Sequence, residues 1–147
     1  MPNIRWLLAL ITWLHTRLYR WSGGRLGHRA PFTGWRTLLL TQRGRVTGRQ
    51  RTLPLLYVED GARWVVAGSN AGDDRDPAWC ANLRATPDAR VRVGAHEHAV
   101  RARFAAGDER ERLWRELVAA FPDYARYERG TARRIPVVVL EPSSKGV

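Results

Sequence analysis

Six short segments rich in β-branched and apolar residues place the strongest constraint on the fold of this chain. Each runs for four to eight residues. Turns that contain glycine or aspartate separate the first three, and the fourth and fifth alternate apolar residues with arginine, as half-exposed strands do. The segments are 35–42, 53–59, 64–69, 90–93, 99–105 and 136–141. Asp60-Gly61, between the second and the third, is a strong β-hairpin signal. The pattern predicts a small, mostly antiparallel sheet or barrel.

Three helices are expected between these strands. Asp76 and Pro77 supply an N-cap and a first-turn proline for a helix over about 78–85. Acidic residues open a second helix over about 108–121, and a third covers about 123–131. Helices inserted between antiparallel strands indicate the α+β class. With 147 residues, no repeat and no linker, the chain is expected to form a single domain.

Residues 1–29 are predicted to form a basic amphipathic helix and a linker. The apolar run at 6–14 is too short to cross a bilayer, which takes about 20 residues, and no signal-peptide cleavage site follows it. Apolar residues recur at three- and four-residue steps, at Ile4, Leu7, Leu8, Ile11, Leu14 and Leu18. Tryptophan and tyrosine border this stripe. Two interpretations are open: the stripe packs on the protein core, or residues 4–21 lie in a membrane interface. The expected location is the cytoplasm, with contact to the inner face of the cell membrane in the second case.

Positive charge is concentrated in the first third of the chain. The first acidic residue is Glu59, and the 58 residues before it contain ten arginines. Those arginines account for nearly all of the net charge of +11. A field of that sign attracts an anion, such as a phosphorylated cofactor, a lipid headgroup or a nucleic acid.

The segment 43–56 has the composition of an anion-binding loop. Gly44 and Gly48 allow backbone amides to turn toward a ligand, Thr47 adds a hydroxyl, and arginines add fixed charge. The alternative is an arginine-rich hairpin with a solvated tip, and the residues alone do not decide between the two.

Two further segments hold candidate functional residues. The segment 67–82 leaves a strand and enters a capped helix, where free amides bind anions and Trp79 could wall a planar ligand. Tyr124 and Tyr127 lie one turn apart and can face one pocket. For each group, packing in the core is the alternative.

Several catalytic classes find no support in the sequence. The four histidines have no metal-ligand spacing, so no metal site is expected. The lone Cys80 has no obvious histidine partner, and GxSxG is absent, which argues against a covalent nucleophile. GxGxxG is also absent, so a Rossmann dinucleotide site is not indicated.

Four separated motifs, in order, resemble the deazaflavin-dependent nitroreductase family of actinobacteria. They are TxxGRxTGxxRxxPLLYVEDG from Thr41, AGSNAG with DPAW from Ala67, FPxYxxY from Phe121 and RxIPVVVLEP from Arg133. The resemblance covers about 35–142. It implies a split β-barrel of the FMN-binding, flavin-reductase-like type, and coenzyme F420 as the cofactor, with FMN as the weaker option. F420 carries a deazaflavin ring, a phosphodiester and a polyglutamate tail, so it would supply the anion.

The resemblance also implies roles for particular residues. The phosphate and tail end of the cofactor would be bound by Arg45, Thr47, Gly48, Arg49 and Arg51, and Pro54 would also contact the cofactor. The ring would be contacted by Gly68, Ser69, Asn70, Pro77, Ala78, Trp79 and Asn82. The catalytic residues would be Tyr124, Tyr127 and Ser69. Asn70 and Phe121 stand where some members have lysine and tyrosine, which affects the expected range of nitro substrates.

The expected activity is hydride transfer from reduced F420 to a quinone, a nitroaromatic or an activated enone. One alternative keeps the barrel and binds FMN. Another is a basic barrel that binds single-stranded nucleic acid, but the aromatic residues cluster in the N-terminal helix and not on strand faces. A nucleic-acid partner is therefore not expected, and the protein is expected to be a monomer or a homodimer.

Overall fold

Seven strands and three helices make up the part of the chain described by this computed structural model, which is residues 13, 14, 17 and 36–144. The strands are β1 (Thr37–Arg43), β2 (Gln50–Leu56), β3 (Val58–Asp60), β4 (Arg63–Ala67), β5 (Asp88–Val93), β6 (His96–Phe104) and β7 (Val137–Pro142). The helices are α1 (Ala78–Ala85), α2 (Gly107–Ala120) and α3 (Asp123–Gly130). A short 3-10 turn, Asn70–Gly72, precedes α1.

The strands form one antiparallel sheet in the order β2-β1-β5-β6-β7-β4-β3. The two edge strands, β2 and β3, are separated in the chain by Tyr57 alone. One residue can join both edges only if the sheet curls back on itself, so the sheet forms a half-barrel. The α+β class and the curled antiparallel architecture expected from the sequence are confirmed.

Buried side chains lie on both faces of the curled sheet. Inside the curl, one core cluster contains Leu38, Leu40, Tyr57 and residues of α1. On the outer face, a second cluster packs α2 and α3 against the sheet. β7 serves both, because successive side chains point to opposite faces: Val138 belongs to the first cluster and Val139 to the second. Burial on both faces explains its continuous apolar sequence.

Apart from one break, the ends of the predicted elements lie within three residues of those in the structure. Three differences have a structural reason. The strand expected over 53–59 is two strands, because the chain passes from one sheet edge to the other at Tyr57. The strand expected over 99–105 begins at His96, where it pairs with Val93. The prediction that Asp76 caps α1 is wrong: the N-cap residue is Pro77, and no side-chain capping bond forms.

The predicted N-terminal helix lies outside the described residues apart from three positions. Trp13, Leu14 and Arg17 are helical and exposed, and the Arg17 guanidinium lies 4.7 Å from the centre of the Trp13 ring. In the part of the chain that the structure describes, no helix is long and apolar enough to cross a membrane.

Asp60 ties the β3–β4 hairpin to α2. Its carboxylate accepts two hydrogen bonds from Arg112, each 3.2 Å long, and pairs with Arg63 across the turn. The bonds from Arg112 are the largest influence on the pKa of Asp60 and, with those from Arg63, hold it below its usual value of 3.8 despite partial burial. Arg103 lowers the pKa of Glu109 in the same way.

We expect Asp60→Asn to lower the free energy of unfolding at pH 7 by about 1–2 kcal/mol, because it weakens bonds to two guanidinium groups. A depressed folded-state pKa stabilises the protein above the unfolded value and loses that effect as the pH falls through the folded value. The difference between the variant and the wild type should therefore shrink below about pH 4. Urea unfolding at several pH values measures it.

Glu59→Gln is the matched control for Asp60→Asn. Glu59 forms an exposed 3.2 Å pair with Arg36, with both side chains 52% exposed. Its loss should change stability by less than about 0.5 kcal/mol. Equal effects of the two substitutions would contradict the structural role of Asp60.

Candidate functional site

The β1–β2 hairpin, the loop before α1 and the start of α1 enclose a cleft of about 770 Å³. Two segments proposed separately from the sequence meet here. Six of the predicted cofactor residues line it: Arg51, Asn70, Pro77, Ala78, Trp79 and Asn82. Six further residues line it: Gln42, Thr52, Leu53, Asp73, Arg75 and Asp76. All but Gln42 fall in the candidate segments 43–56 and 67–82, but no cofactor role was predicted for any of them.

The arginine-rich loop between β1 and β2 folds around Gly44. The Gly44 amide donates to the Arg49 carbonyl, and the Gly48 amide donates to the Gly44 carbonyl, both at 2.8 Å. A Cβ atom at Gly44 would lie 3.4 Å from both Thr47 Oγ1 and Arg51 Nε. The atom nearest to that Cβ position is the Arg49 carbonyl oxygen, at 3.2 Å. A hydroxyl and a guanidinium thus lie near the Gly44 backbone, and the Thr47 hydroxyl accepts a hydrogen bond from the Arg49 amide at 3.3 Å.

Asn82 fastens this loop to α1. Its Oδ1 accepts hydrogen bonds from the Arg45 backbone amide at 3.1 Å and from Arg45 Nη1 at 3.0 Å. Asn82 is buried. The resemblance implies that it lies beside the cofactor ring, and its side-chain oxygen is already bonded to Arg45. The guanidinium of Arg45 is turned toward α1, whereas that of Arg51 lines the cleft.

The loop before α1 has an unusual backbone. Asn70, Ala71 and Gly72 adopt φ angles of +46°, +53° and +82°, and two of the three carry side chains. Such conformations cost energy outside glycine and cluster at ligand sites. Position 72 favours glycine for two reasons: its φ angle is positive, and a Cβ atom there would lie 3.1 Å from the Tyr127 ring. Position 68 favours glycine for a steric reason alone, because a Cβ atom there would collide with Cys80 Sγ at 2.7 Å.

Arg133 holds that loop in place. Its guanidinium donates to the backbone carbonyls of Gly68 (3.1 Å), Ser69 (2.8 Å) and Asp73 (2.8 Å), and to the Asp76 carboxylate (2.8 Å). The side chain is only 14% exposed. Arg133 begins the last of the four motifs, but no local pattern indicates this role, because its partners lie about 60 residues earlier in the chain.

The two predicted catalytic tyrosines lie beside the loop and not on the wall of the cleft. Tyr124 is 6% exposed and stacks 6.0 Å from Trp114 in the outer core. Burial raises the pKa of the Tyr124 hydroxyl, Tyr127 raises it further, and a hydrogen bond with the Ser69 side chain opposes the rise. Tyr124 is therefore protonated at neutral pH. Tyr127 packs on Gly72.

The remaining predicted cofactor residues are not among those that line the cleft. Thr47, Gly48 and Arg49 are exposed at the tip of the β1–β2 loop, and Pro54 lies within β2 opposite Leu39. Cys80 is fully buried, and burial raises the pKa of its thiol to about 12, so the thiolate is not available. Among residues 36–144, no group of histidine, cysteine and acidic residues could hold a metal ion.

We expect Arg133→Lys to lower the melting temperature and to weaken ligand binding in the cleft by about tenfold or more. A lysine ammonium cannot reproduce a fork that reaches four acceptors, so the Gly68–Asp76 loop should loosen. Arg134→Lys is the control, because Arg134 is 67% exposed and pairs with Glu111 alone among the described residues. Thermal melts and binding titrations of both variants measure the effect. If the two substitutions behave alike, Arg133 does not hold the loop.

Comparisons with known proteins identify the family. A family model described as F420H(2)-dependent quinone reductase matches residues 12–142. A Mycobacterium tuberculosis protein named F420H(2)-dependent quinone reductase is 38% identical over 130 residues, which are 86% of this chain and 87% of the relative. The solved structure of an F420-H2 dependent reductase, FDR-A, is 36% identical and has a TM-score of 0.67, covering 71% of this chain and 93% of that one.

A further solved structure, described as a domain-swapped dimer, is 32% identical and has a TM-score of 0.70 over 88% of this chain and 97% of that one. The fold is thus the split barrel that the motifs implied. Together these matches confirm the resemblance drawn from the motifs. The chain belongs to the F420H(2)-dependent quinone reductase family, whose members are oxidoreductases that use coenzyme F420.

Proposed function

We propose that the cleft between the β1–β2 hairpin and α1 binds reduced F420 and that the protein reduces a quinone. The observation that carries this proposal is the meeting of two elements in one cleft. One is the β1–β2 hairpin, which contributes Arg51 to the lining, and the other is the loop and helix that contribute Asn70 and Trp79. The first suits phosphate and carboxylate groups, and the second suits a planar ring.

The residues present fit the charge of the coenzyme. Arg51 and Arg75 line the cleft. Of the two carboxylates in the lining, that of Asp76 is paired with Arg133 at 2.8 Å, and that of Asp73 accepts from the Arg75 amide at 3.0 Å. With Arg133 included, three guanidinium groups face two carboxylates here, so a polyanion meets a net positive charge.

Trp79 gives the ring a rigid wall. It is only 5% exposed and packs in the inner core, yet it also lines the cleft. The two interpretations left open by the sequence, core packing and ligand contact, are thus compatible. An aromatic side chain fixed by its own packing positions a planar ligand with little loss of entropy.

The Ser69–Tyr124 hydroxyl pair is our proposal for the proton donor. The reduced coenzyme supplies a hydride, which with one proton converts a quinone to a hydroquinone. Tyr124 keeps its proton at neutral pH, and Ser69, next to cleft-lining Asn70, is half-buried. In this proposal Ser69 passes its proton toward the acceptor and takes the proton of Tyr124, and Tyr124 regains a proton from solvent. A well-placed donor contributes about 10²–10⁴-fold.

We expect Arg51→Ala to raise the dissociation constant for F420 by about one to two orders of magnitude, since it removes a charge-assisted contact. Added salt should weaken the wild type more than the variant. Fluorescence titration measures both, with FMN and single-stranded DNA as ligands that should bind poorly. Arg101→Ala is the control. Arg101, on β6, carries the same charge and forms an exposed pair with Asp88 on β5. Equal affinities in the two variants would remove the anion-binding assignment.

We expect Tyr124→Phe to lower kcat/KM for menadione by about tenfold or more while the F420 dissociation constant changes less than about twofold. The ring keeps its stacking on Trp114, so only the hydroxyl is lost. Ser69→Ala should have a similar effect, and the double variant should be no worse than either single variant. Steady-state rates followed at the coenzyme absorbance test this, and an active Tyr124→Phe enzyme would transfer the role to Tyr127 or water.

We also propose that residues 4–21 contact the membrane that contains the quinone. The support is the amphipathic sequence together with the exposure of Trp13 (54%) and Leu14 (52%). Leu14→Glu should reduce sedimentation with anionic vesicles several-fold and leave menadione reduction unchanged. Undiminished sedimentation of Leu14→Glu and of a chain lacking the first 20 residues would overturn this proposal.

A further inference from the structure

Gln42 occupies an apolar row at the floor of the cleft. In β1, Leu38, Leu40 and Gln42 share one face because side chains alternate along a strand. Both leucines are fully buried in the inner core, and Gln42 is 4% exposed. It is therefore the polar residue that ends the row where the inside of the curled sheet meets the cleft.

The Gln42 carboxamide has an unused end. Its Oε1 is buried and has no hydrogen-bond partner among the residues that the structure describes. Burying an amide with an unpaired acceptor costs more folding free energy than burying an apolar side chain of the same shape. A leucine at this position would simply continue the row of Leu38 and Leu40. A buried polar group of this kind needs an explanation in terms of what it meets in the functional state.

We propose that the Gln42 carboxamide hydrogen-bonds an uncharged N–H or O–H group of F420 bound in the cleft. This inference rests on the proposed function and adds an orienting residue to it. The arginines recognise the charged end of the coenzyme, and a neutral amide recognises a neutral donor between that end and the ring wall at Trp79. Two groups of the coenzyme have this chemistry: the imide N–H of the ring and the hydroxyls of the ribityl chain that joins the ring to the phosphate.

The proposal predicts opposite effects on stability and on binding. Gln42→Leu removes the unpaired acceptor and continues the leucine row, so the coenzyme-free protein should melt about 2–5 °C higher. The same variant should bind F420 about 5- to 30-fold more weakly. Gln50→Leu is the control, since Gln50 is exposed at the start of β2; it should change neither quantity.

Two ligand analogues locate the contact. If Gln42 meets the ring imide, an imide N-methylated analogue should bind the wild type and Gln42→Leu equally. If it meets the ribityl chain, the methylated analogue should still distinguish them, and so should the ring-and-ribityl fragment without phosphate and tail. Either pattern supports the inference.

Three results would overturn it. A lower melting temperature of coenzyme-free Gln42→Leu would mean that the amide is paired within the chain. If Gln42→Leu bound F420 as tightly as the wild type while Arg51→Ala was impaired, Gln42 would be removed from the site and the proposed function would stand. The same result is expected if Gln42 acts instead at a second cavity that it borders, beside Arg43 and Arg90. Failure of the wild type to bind F420 would remove both.

Discussion

A single residue between β2 and β3 forces the sheet to curl, and the site depends on that curl. Flat, the seven strands would place the two edges roughly 29 Å apart, at about 4.8 Å per strand spacing. Tyr57 and its two peptide links span only about 7 Å. Tyr57 is 2% exposed, and its amide donates to the Arg36 carbonyl at 3.2 Å, so this crossing point is fixed. The curl creates an enclosed inner core, and the cleft opens at its margin.

The cleft is shaped by polar bonds between segments distant in sequence. Asn82 joins α1 to the arginine loop across 37 residues, and Arg133 joins the entrance of β7 to the loop before α1. Neither set of hydrogen bonds joins residues that are near each other in the sequence. In both, the side chain of Asn82 or Arg133 is buried or nearly buried. Because such donors and acceptors are costly to leave unpaired, they hold two loops rigidly where a flexible arginine-rich segment alone would not.

Local strain accompanies this rigidity. Asn70 and Ala71 keep left-handed conformations that are unfavourable for residues with side chains, while the Arg133 guanidinium binds the carbonyls on either side of the turn. Gln42 adds an unpaired buried acceptor among the described residues. Both features reduce the stability of the free protein, which is the usual consequence of shaping a surface for a ligand.

The sequence by itself determined the elements and the family. Period-two and helical patterns, turn residues and four ordered motifs are local signals, and they predicted every described strand and helix region to within a few residues, apart from the break at Tyr57. They also placed Arg51 and Trp79 as cofactor residues, a role that stays a prediction. Only the tertiary structure decided which polar groups are already used by the protein: Asn82 by Arg45, Arg133 by the Gly68–Asp76 loop, and Tyr124 by the core. The physical reason is that a hydrogen-bond partner supplied from 40 or 60 residues away leaves no trace in local periodicity.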